Sequence, residues 1–250
     1  MNMTHQCVSV WQINIEAFAE NAEAYLSLLS QDEQLRAAHL YLEREKRSFI
    51  VRRAFLRIIL GFYCSVHPQQ LRFRLQQFGK PSIAFPCHTG IHFSHAHSFD
   101  MGLYAFSPDQ EVGIDVEKIR PLPDVLAIAR SFFSYREYVF LKKLSAPNRD
   151  RAFFRMWSIK EALIKAKGWS LEKGLAACCT AGVFDNGFGR VLFDDGLVSE
   201  SSVSVLDTGS DFAAALAVQG CGEYEISCRQ LEEASFFSEL MQDVTVDCGH

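Results

Sequence analysis

The sequence lacks the long apolar segment, the secretory signal and the basic excess that mark several classes of protein. No window approaches the roughly 18 uninterrupted apolar residues of a membrane span, because three arginines interrupt the most apolar stretch, residues 48–64. Residues 1–10 show no basic start followed by an apolar core, so no secretory signal is expected. The formal net charge of −5 argues against a broadly basic surface for nucleic acid.

The eight cysteines include no Cys-x-x-Cys pair, the spacing that is typical of redox and zinc sites. They are scattered along the chain, and the adjacent Cys178 and Cys179 are poor candidates for bonding to each other. Reduced thiols and a cytoplasmic location are therefore expected. The length of 250 residues allows one large domain or two of modest size. Apolar residues make up 48% of the chain, and the 21 phenylalanines make a substantial core available.

Residue patterns predict a chain in which helices and strands are mixed. Alternation predicts an opening strand at residues 7–16, and a predicted helix at residues 17–29 follows it. Ser30 and Glu33 form a capping-box pattern that begins a helix-rich stretch, residues 35–60. The later predicted strands are residues 71–75, 99–106, 112–117, 181–184, 190–193, 202–206 and 211–218, and the later helices are residues 124–144 and 155–168.

Two carboxylates lie on one face of the predicted strand at residues 112–117. Alternation places Asp115 and Glu117 on one face of this strand and Ile114 and Val116 on the other. Carboxylates so close raise each other's pKa unless a cation lies between them, and an oxygen-rich site suits a hard cation such as Mg²⁺. Taken alone, the pair also fits an ordinary solvent-exposed strand face.

The predicted helix at residues 155–168 carries a third carboxylate. Good helix formers dominate it, no proline interrupts it, and Gly168 stands where a left-handed C-cap residue belongs. Glu161 and Lys165 are four residues apart and therefore share a face of the helix. A surface ion pair would have the same spacing, so only the two acidic stretches together indicate a site.

These two stretches resemble the signature motifs of the larger, Sfp-like type of 4'-phosphopantetheinyl transferase. The family pattern Gly-[Ile/Val]-Asp-x-Glu matches residues 113–117, and the pattern Trp-x-x-Lys-Glu-[Ala/Ser]-x-x-Lys matches residues 157–165, in the family's order and spacing. The segments Gly79-Lys80-Pro81, Ser94-His95 and Phe132–Tyr138 also resemble family segments. The resemblance covers residues 26–218.

The resemblance implies an α+β fold of two similar α+β halves, packed as a pseudo-dimer with the ligand between them. Residues 1–110 would carry the basic groups that bind coenzyme A, residues 111–220 would carry the metal-binding and catalytic motifs, and residues 221–250 remain an unassigned extension. The implied enzyme transfers the 4'-phosphopantetheine group of coenzyme A to a serine of an acyl, peptidyl or polyketide carrier protein and releases adenosine 3',5'-bisphosphate. A monomer that binds neither nucleic acid nor membrane is expected.

The resemblance also implies roles for individual residues. Asp115, Glu117 and Glu161 would bind Mg²⁺, and Glu161, or a water molecule that it orients, would take the serine proton. Lys165 would place positive charge near the phosphates, with Lys160 assisting it. A further set of residues would bind coenzyme A: Arg44, Arg47, Lys80, Ser94 and His95.

Two other functions are compatible with parts of the sequence. A non-catalytic protein that recognises carrier domains or nucleotides would be favoured by a broken acidic triad, yet all three carboxylates are present. The histidines within residues 88–97 could form the zinc site of a hydrolase. Alternation, however, places His95 and His97 on one face of a strand and His92 on the other. Neither His92 nor His97 has an assigned role.

Overall fold

The computed structural model describes residues 6–177, 180, 183, 187–194, 198–220, 222 and 224–231. The predicted strand at residues 181–184 lies, apart from residue 183, outside the described residues. In the described part of the chain, no helix is both long enough and apolar enough to cross a membrane.

The first half begins with a strand and is built around one long helix. Strand β1 (Gln6–Asn14) leads into three short helices, α1 (Ile15–Ala19), α2 (Ala22–Tyr25) and α3 (Gln31–Ala38), and then into the 22-residue helix α4 (Glu43–Cys64). The strands that follow are β2 (Arg72–Leu75), β3 (Pro81–Phe85), β4 (His92–Ser98) and β5 (Met101–Ser107). Short 3₁₀ turns occupy Leu26–Leu28, Pro68–Gln70 and Gln77–Gly79.

The second half repeats this plan with a second 22-residue helix, α7 (Ala146–Lys167). It starts at strand β6 (Val112–Lys118), so the predicted division near residue 110 falls in the connection between β5 and β6. The other elements are α5 (Val125–Phe132), α6 (Tyr135–Lys143), α8 (Leu171–Ala177), β7 (Phe188–Asp194), β8 (Val198–Leu206), β9 (Phe212–Gln219) and β10 (Tyr224–Leu231).

The two main sheets have matching strand orders, β10-β1-β5-β4 and β6-β9-β8-β7, beside a small β2-β3 hairpin. Strands β1 and β6 pair antiparallel with β5 and β9, respectively, and these pair antiparallel with β4 and β8. Helices α4 and α7 both end at a left-handed residue, Ser65 and Gly168. The predicted fold class, α+β with two similar halves, is confirmed.

The halves join through the faces of their sheets. One face of the first sheet packs on α4, where Ile50, Phe55 and Leu56 are fully buried. The opposite face contacts the second sheet through a buried apolar layer in which Val10 and Leu103 pack with Ile114, Val116 and Leu216. Helix α7 covers the outer face of the second sheet, and its inward residues there are Ile159, Ala162, Leu163 and Ala166. This junction positions β6 beside β4.

The predicted element boundaries differ from the structure in several places; the helix predicted at residues 155–168, for example, already begins at Ala146. The single helix expected at residues 17–29 is broken into α1, α2 and a 3₁₀ turn. The helix expected at residues 124–144 is interrupted at Ser134, which caps α6 in a capping box with Glu137. The unassigned extension contributes β10, which pairs parallel with β1 and therefore adds an edge strand to the sheet of the first half. Residues 232–250 lie outside the described residues.

Gly113 allows α7 to lie directly on β6. A Cβ atom at this position would come within 2.0 Å of Ala162 O and 2.4 Å of Ala166 N, so any larger residue would push the helix off the strand. This close approach places the second signature motif over the first.

Candidate active site

The carboxylates of the two motifs meet where β6 contacts α7. Asp115 is buried on β6, and its Oδ1 lies 2.8 Å from Lys165 Nζ on α7. Lys165 Nζ also donates to the carbonyl oxygen of Ile114 at 3.2 Å. Glu117 Oε2 accepts a hydrogen bond from Ser98 Oγ of β4 at 3.1 Å, which links the first half to the cluster. Lys165 of α7 therefore contacts Asp115 of β6, whereas the sequence spacing had allowed a surface pair with Glu161 on its own helix.

Glu161, one helical turn before Lys165 on α7, lies within electrostatic reach of the same residues. Burial raises the pKa of Glu161 to about 7, the neighbouring charges of Asp115 and Glu117 add to this rise, and Lys165 opposes it. Burial also raises the pKa of Asp115, again against the effect of Lys165. The pKa of Glu117 is raised by burial and by Asp115. The cluster therefore holds more negative charge than its one lysine can offset.

The donor set fits a hard divalent cation. Carboxylate oxygens are the ligands that Mg²⁺ prefers, and Asp115 Oδ2 is buried without a hydrogen-bond partner. A buried carboxylate oxygen without a partner is unfavourable, so a ligand for it is expected. Among the described residues, however, no three His, Cys, Asp or Glu side chains are already grouped closely enough to hold a metal ion. The Lys165 ammonium donates a hydrogen bond to the other carboxylate oxygen of Asp115, Oδ1.

Lys160 lies apart from this cluster, in the interior behind α7. Its side chain has no exposed surface, and its Nζ is 3.1 Å from Glu137 Oε2 on α6 and 3.1 Å from the carbonyl oxygen of Leu175 on α8. The ammonium also lies over the Phe133 ring, 5.0 Å from its centroid. The structure brings Lys165 to the carboxylates and does not bring Lys160 there.

Glu137 is an organising residue that the sequence reasoning did not single out. Its Oε1 accepts hydrogen bonds from Thr180 N at 2.8 Å and Thr180 Oγ1 at 2.6 Å, and its Oε2 accepts one from Ser134 N at 2.8 Å. Burial raises its pKa, but Lys160 and Thr180 outweigh burial and leave the pKa below its ordinary value. The capping-box spacing of Ser134 and Glu137 was a signal that could have identified it.

Of the predicted coenzyme A residues around β3 and β4, Lys80 and Ser94 contact β6, whereas His95 packs on β5. Lys80 Nζ is 2.5 Å from Glu111 Oε2 and donates to the carbonyl oxygen of Val112 at 3.0 Å. Ser94 Oγ accepts a hydrogen bond from Ile114 N at 3.1 Å. His95 stacks on Tyr104 with ring centroids 6.3 Å apart, and burial, followed by nearby cations, lowers its pKa to about 3. His95 is therefore neutral at physiological pH.

Arg44 and Arg47 lie on the first turns of α4 and are largely exposed. Arg44 Nη2 is 3.7 Å from Glu16 Oε2, and Arg47 Nε is 3.0 Å from Glu43 Oε1. Neither arginine contacts another predicted site residue in the described part of the chain.

The histidines of β4 point in two directions, as alternation predicts. His92 Nδ1 is 3.0 Å from Glu111 Oε1, whereas His97 Nδ1 is 3.2 Å from Arg52 Nη1 on α4. Since the described residues contain no grouped set of metal-binding side chains, nothing in the structure favours the zinc-hydrolase alternative.

Known proteins that are similar to this chain are 4'-phosphopantetheinyl transferases. The family model of the 4'-phosphopantetheinyl transferase superfamily matches residues 111–228. The chain is 35% identical over 167 residues to the 4'-phosphopantetheinyl transferase HetI of Nostoc sp., covering 66% of this chain and 70% of that relative. It is 34% identical over 151 residues to a relative from Synechocystis sp. that is described as a putative 4'-phosphopantetheinyl transferase, covering 60% and 61% of the two chains. It is 29% identical over 153 residues to the 4'-phosphopantetheinyl transferase Sfp of Bacillus subtilis, covering 61% of this chain and 66% of Sfp.

Carboxylates that can hold a cation, together with a positioned lysine, can stabilise the charge of a phosphoryl group, which is the chemistry that an enzyme acting on phosphate-containing substrates needs. The comparisons identify the class within that group. The chain belongs to the 4'-phosphopantetheinyl transferase superfamily, whose enzymes transfer the 4'-phosphopantetheine group of coenzyme A to carrier proteins. The predicted family and enzyme class are confirmed.

Proposed function

We propose that this enzyme attaches 4'-phosphopantetheine to a serine of an acyl, peptidyl or polyketide carrier protein at the cluster of Asp115, Glu117, Glu161 and Lys165. The observation that carries the proposal is the Lys165 ammonium 2.8 Å from Asp115, a carboxylate whose charge also raises the pKa of Glu117 and Glu161. In the reaction the serine oxygen bonds to the β-phosphorus of coenzyme A. The bond from that phosphorus to the bridging oxygen breaks, and adenosine 3',5'-bisphosphate leaves.

Asp115, Glu117 and Glu161 are the residues that would hold Mg²⁺. The unpartnered Oδ2 of Asp115 and the raised pKa values of the other two carboxylates support this assignment. Bound Mg²⁺ would neutralise pyrophosphate oxygens and thereby make the phosphorus more open to attack.

Lys165 would stabilise charge on the phosphoryl group, and Glu161 would serve in removing the serine proton. Lys165 already donates two hydrogen bonds, to Asp115 and to the Ile114 carbonyl, so its ammonium is held in place before substrate arrives. A positioned cation stabilises charge that develops on phosphoryl oxygens. Glu161, or a water molecule that it orients, would accept the serine proton.

The predicted coenzyme A residues differ in the contacts that they make in the structure. Ser94 hydrogen-bonds β6 and His95 is electrostatically coupled to Lys165, which supports a nucleotide site next to the carboxylates. Lys80 is bonded to Glu111 and Val112 and would reach a phosphate only by exchanging one of these partners. Arg44 and Arg47 are free to move because their ion pairs are exposed, and pairs of this kind contribute little.

The test is to incubate the purified protein with coenzyme A, Mg²⁺ and a panel of apo-carrier proteins from fatty-acid, polyketide and peptide synthesis. Intact-mass spectrometry then shows which carriers gain one phosphopantetheinyl group. Replacement of the modified serine by alanine in the responding carrier is the control. A protein that binds coenzyme A but modifies none of the carriers would favour the alternative, a non-catalytic binding module.

A further inference from the structure

A cavity lies in the second half, between α7 and the turn of the β8–β9 hairpin. Its volume is about 320 Å³, at the lower end of the roughly 300–1,000 Å³ that small-molecule pockets span. In the described part of the chain, its lining contains no residue of the carboxylate cluster. Its charged and hydroxyl-bearing lining residues are Arg151, Arg155, Asp207 and Thr208. We refer to it as the hairpin cavity.

Two arginines of α7 bring positive charge to the hairpin cavity. Arg151 and Arg155 are four residues apart and therefore share a face of the helix. Arg151 Nη1 donates to the carbonyl oxygen of Ser210 at 2.9 Å, so the hairpin turn holds this guanidinium in place. A guanidinium has five N–H groups, so this bond leaves donors for a ligand. Arg155 Nη2 lies 3.4 Å from the position that a Cβ atom would take at Gly187, another residue of the lining.

The described lining has one carboxylate beside these two guanidiniums. Asp207 Oδ1 accepts a hydrogen bond from Gly209 N at 3.1 Å, within the turn itself. A second carboxylate of the turn, Asp211, is close enough for Arg151 to act on its charge, but it already pairs with Lys118 Nζ at 2.9 Å. The lining is therefore more positive than negative, which favours an anion.

Thr208 supplies an independent observation that points to a ligand. Its Oγ1 is buried and has no hydrogen-bond partner among the described residues. A buried hydroxyl without a partner is unfavourable, so a partner within the hairpin cavity is expected. A hydroxyl can donate to a carboxylate oxygen, and a guanidinium binds a carboxylate with two parallel hydrogen bonds.

The apolar part of the lining favours an organic anion over an inorganic one. Val205, Leu206 and Phe212 of the hairpin line the cavity, as does Ile119 at the end of β6. Apolar groups of a ligand gain free energy when they leave water for such a surface. Inorganic phosphate has no apolar part to place there.

We propose that the hairpin cavity binds a small organic carboxylate, with its carboxylate group on Arg151 and Thr208 and its apolar part against the hairpin side chains. The inference does not rest on the proposed function, because no residue of the carboxylate cluster takes part in it. A bound carboxylate would connect the first turns of α7 to the β8–β9 turn. Because the ligand would bind the folded state, it should also raise the Tm.

Calorimetric titration with hexanoate, a short aliphatic carboxylate, tests the assignment in the wild type and in the Arg151→Gln, Thr208→Val and Arg130→Gln variants. A lost hydrogen bond to a charged group changes affinity by about tenfold or more, so Arg151→Gln should weaken hexanoate by about tenfold. Thr208→Val should weaken it by several-fold. Arg130→Gln, which removes an exposed charge on α5 outside the described lining, should leave the affinity unchanged. Hexanamide, which has a similar size but no charge, should bind about tenfold more weakly than hexanoate.

Several results would overturn the inference. They are no binding of hexanoate by the wild type at millimolar concentrations, equal affinity for hexanamide, and wild-type affinity in either folded variant, Arg151→Gln or Thr208→Val. If a thermal scan shows that one of these variants does not fold, the other decides alone.

A second series of titrations with coenzyme A and Mg²⁺ present separates this cavity from the proposed active site. Unchanged hexanoate affinity supports a separate site, whereas competition would place hexanoate in the active site and overturn the inference. A protein that binds hexanoate as expected but does not bind coenzyme A would refute the proposed function and support the hairpin cavity.

Discussion

Replacement of Lys160 by methionine should destabilise the protein severely while leaving the chemistry of the active site in place. Lys160 and Glu137 have no exposed side-chain surface, and their charged atoms are 3.1 Å apart. Breaking a buried ion pair by removal of one partner typically costs about 3–5 kcal/mol, because the other charge is left unpaired. In Lys160→Met, the Glu137 carboxylate keeps its bonds to Thr180 and Ser134 but loses its only described counter-ion.

The loss can be measured by urea unfolding and by thermal scans. For a chain of this length, about 3–5 kcal/mol corresponds to a fall in Tm of about 6–20 °C. Lys142→Met is the matched control: Lys142 is an exposed lysine in the last turn of α6, and its change should stay within about 0.5 kcal/mol. The double variant Lys160→Met with Glu137→Gln removes the unpaired charge but keeps an oxygen for Thr180, so it should recover a large part of the stability.

The transfer activity of the folded double variant then shows whether Lys160 has a structural or a catalytic role. If Lys160 only holds α6 and α8 against α7, this variant should retain most of the turnover rate at a temperature where it is folded. A Lys160→Met protein as stable as the wild type would refute the buried-pair reasoning. A stable double variant without activity would instead show that Lys160 acts on the substrate.

Three further predictions concern the carboxylate cluster. Gly113→Ala should lower both Tm and transfer activity, because the added Cβ would lie 2.0 Å from Ala162 O and move α7 away from β6; Gly209→Ala, where φ is +80° but no atom lies within 4 Å of the added Cβ, measures for comparison the cost of backbone strain without crowding. Without Mg²⁺, the free energy of unfolding should fall as pH rises from about 4.5 to about 7, because the folded state binds the Glu161 proton more tightly than the unfolded state does. Urea unfolding at several pH values should show a flatter slope for Glu161→Gln. An unchanged slope would contradict the raised pKa of Glu161. Lys165→Ala should lower kcat by about 10²-fold or more with a smaller effect on coenzyme A affinity, and a variant that is slightly less stable but fully active would remove Lys165 from the mechanism.

The carboxylate cluster could be predicted because its parts follow local rules. Alternation on a strand places Asp115 and Glu117 together, and the four-residue spacing places Glu161 and Lys165 on one helix face. The contact between Lys165 and Asp115 could not be predicted from local sequence patterns, because it depends on the close approach of α7 to β6 that Gly113 allows.

Contacts between distant residues account for what the sequence reasoning missed. Lys160 is adjacent to Glu161 in the motif, but the helical turn between successive residues directs it into the core, where Glu137 and Leu175 surround its ammonium. Strand β10 is stabilised by parallel pairing with β1, more than 200 residues earlier, and no local pattern encodes that pairing. The Arg52–His97 pair joins residues 45 positions apart for the same reason.

The most direct test of the account is the rate of 4'-phosphopantetheine transfer to a responding apo-carrier, measured by intact mass across a range of Mg²⁺ concentrations for the Asp115→Asn and Asp150→Asn variants. Asp115→Asn removes a buried carboxylate from the cluster, whereas Asp150→Asn makes the same change near the start of α7. The account predicts that Asp150→Asn transfers at the wild-type rate with the wild-type Mg²⁺ dependence, and that Asp115→Asn remains folded but transfers no group even at millimolar Mg²⁺. Wild-type transfer by Asp115→Asn would contradict the three-carboxylate site.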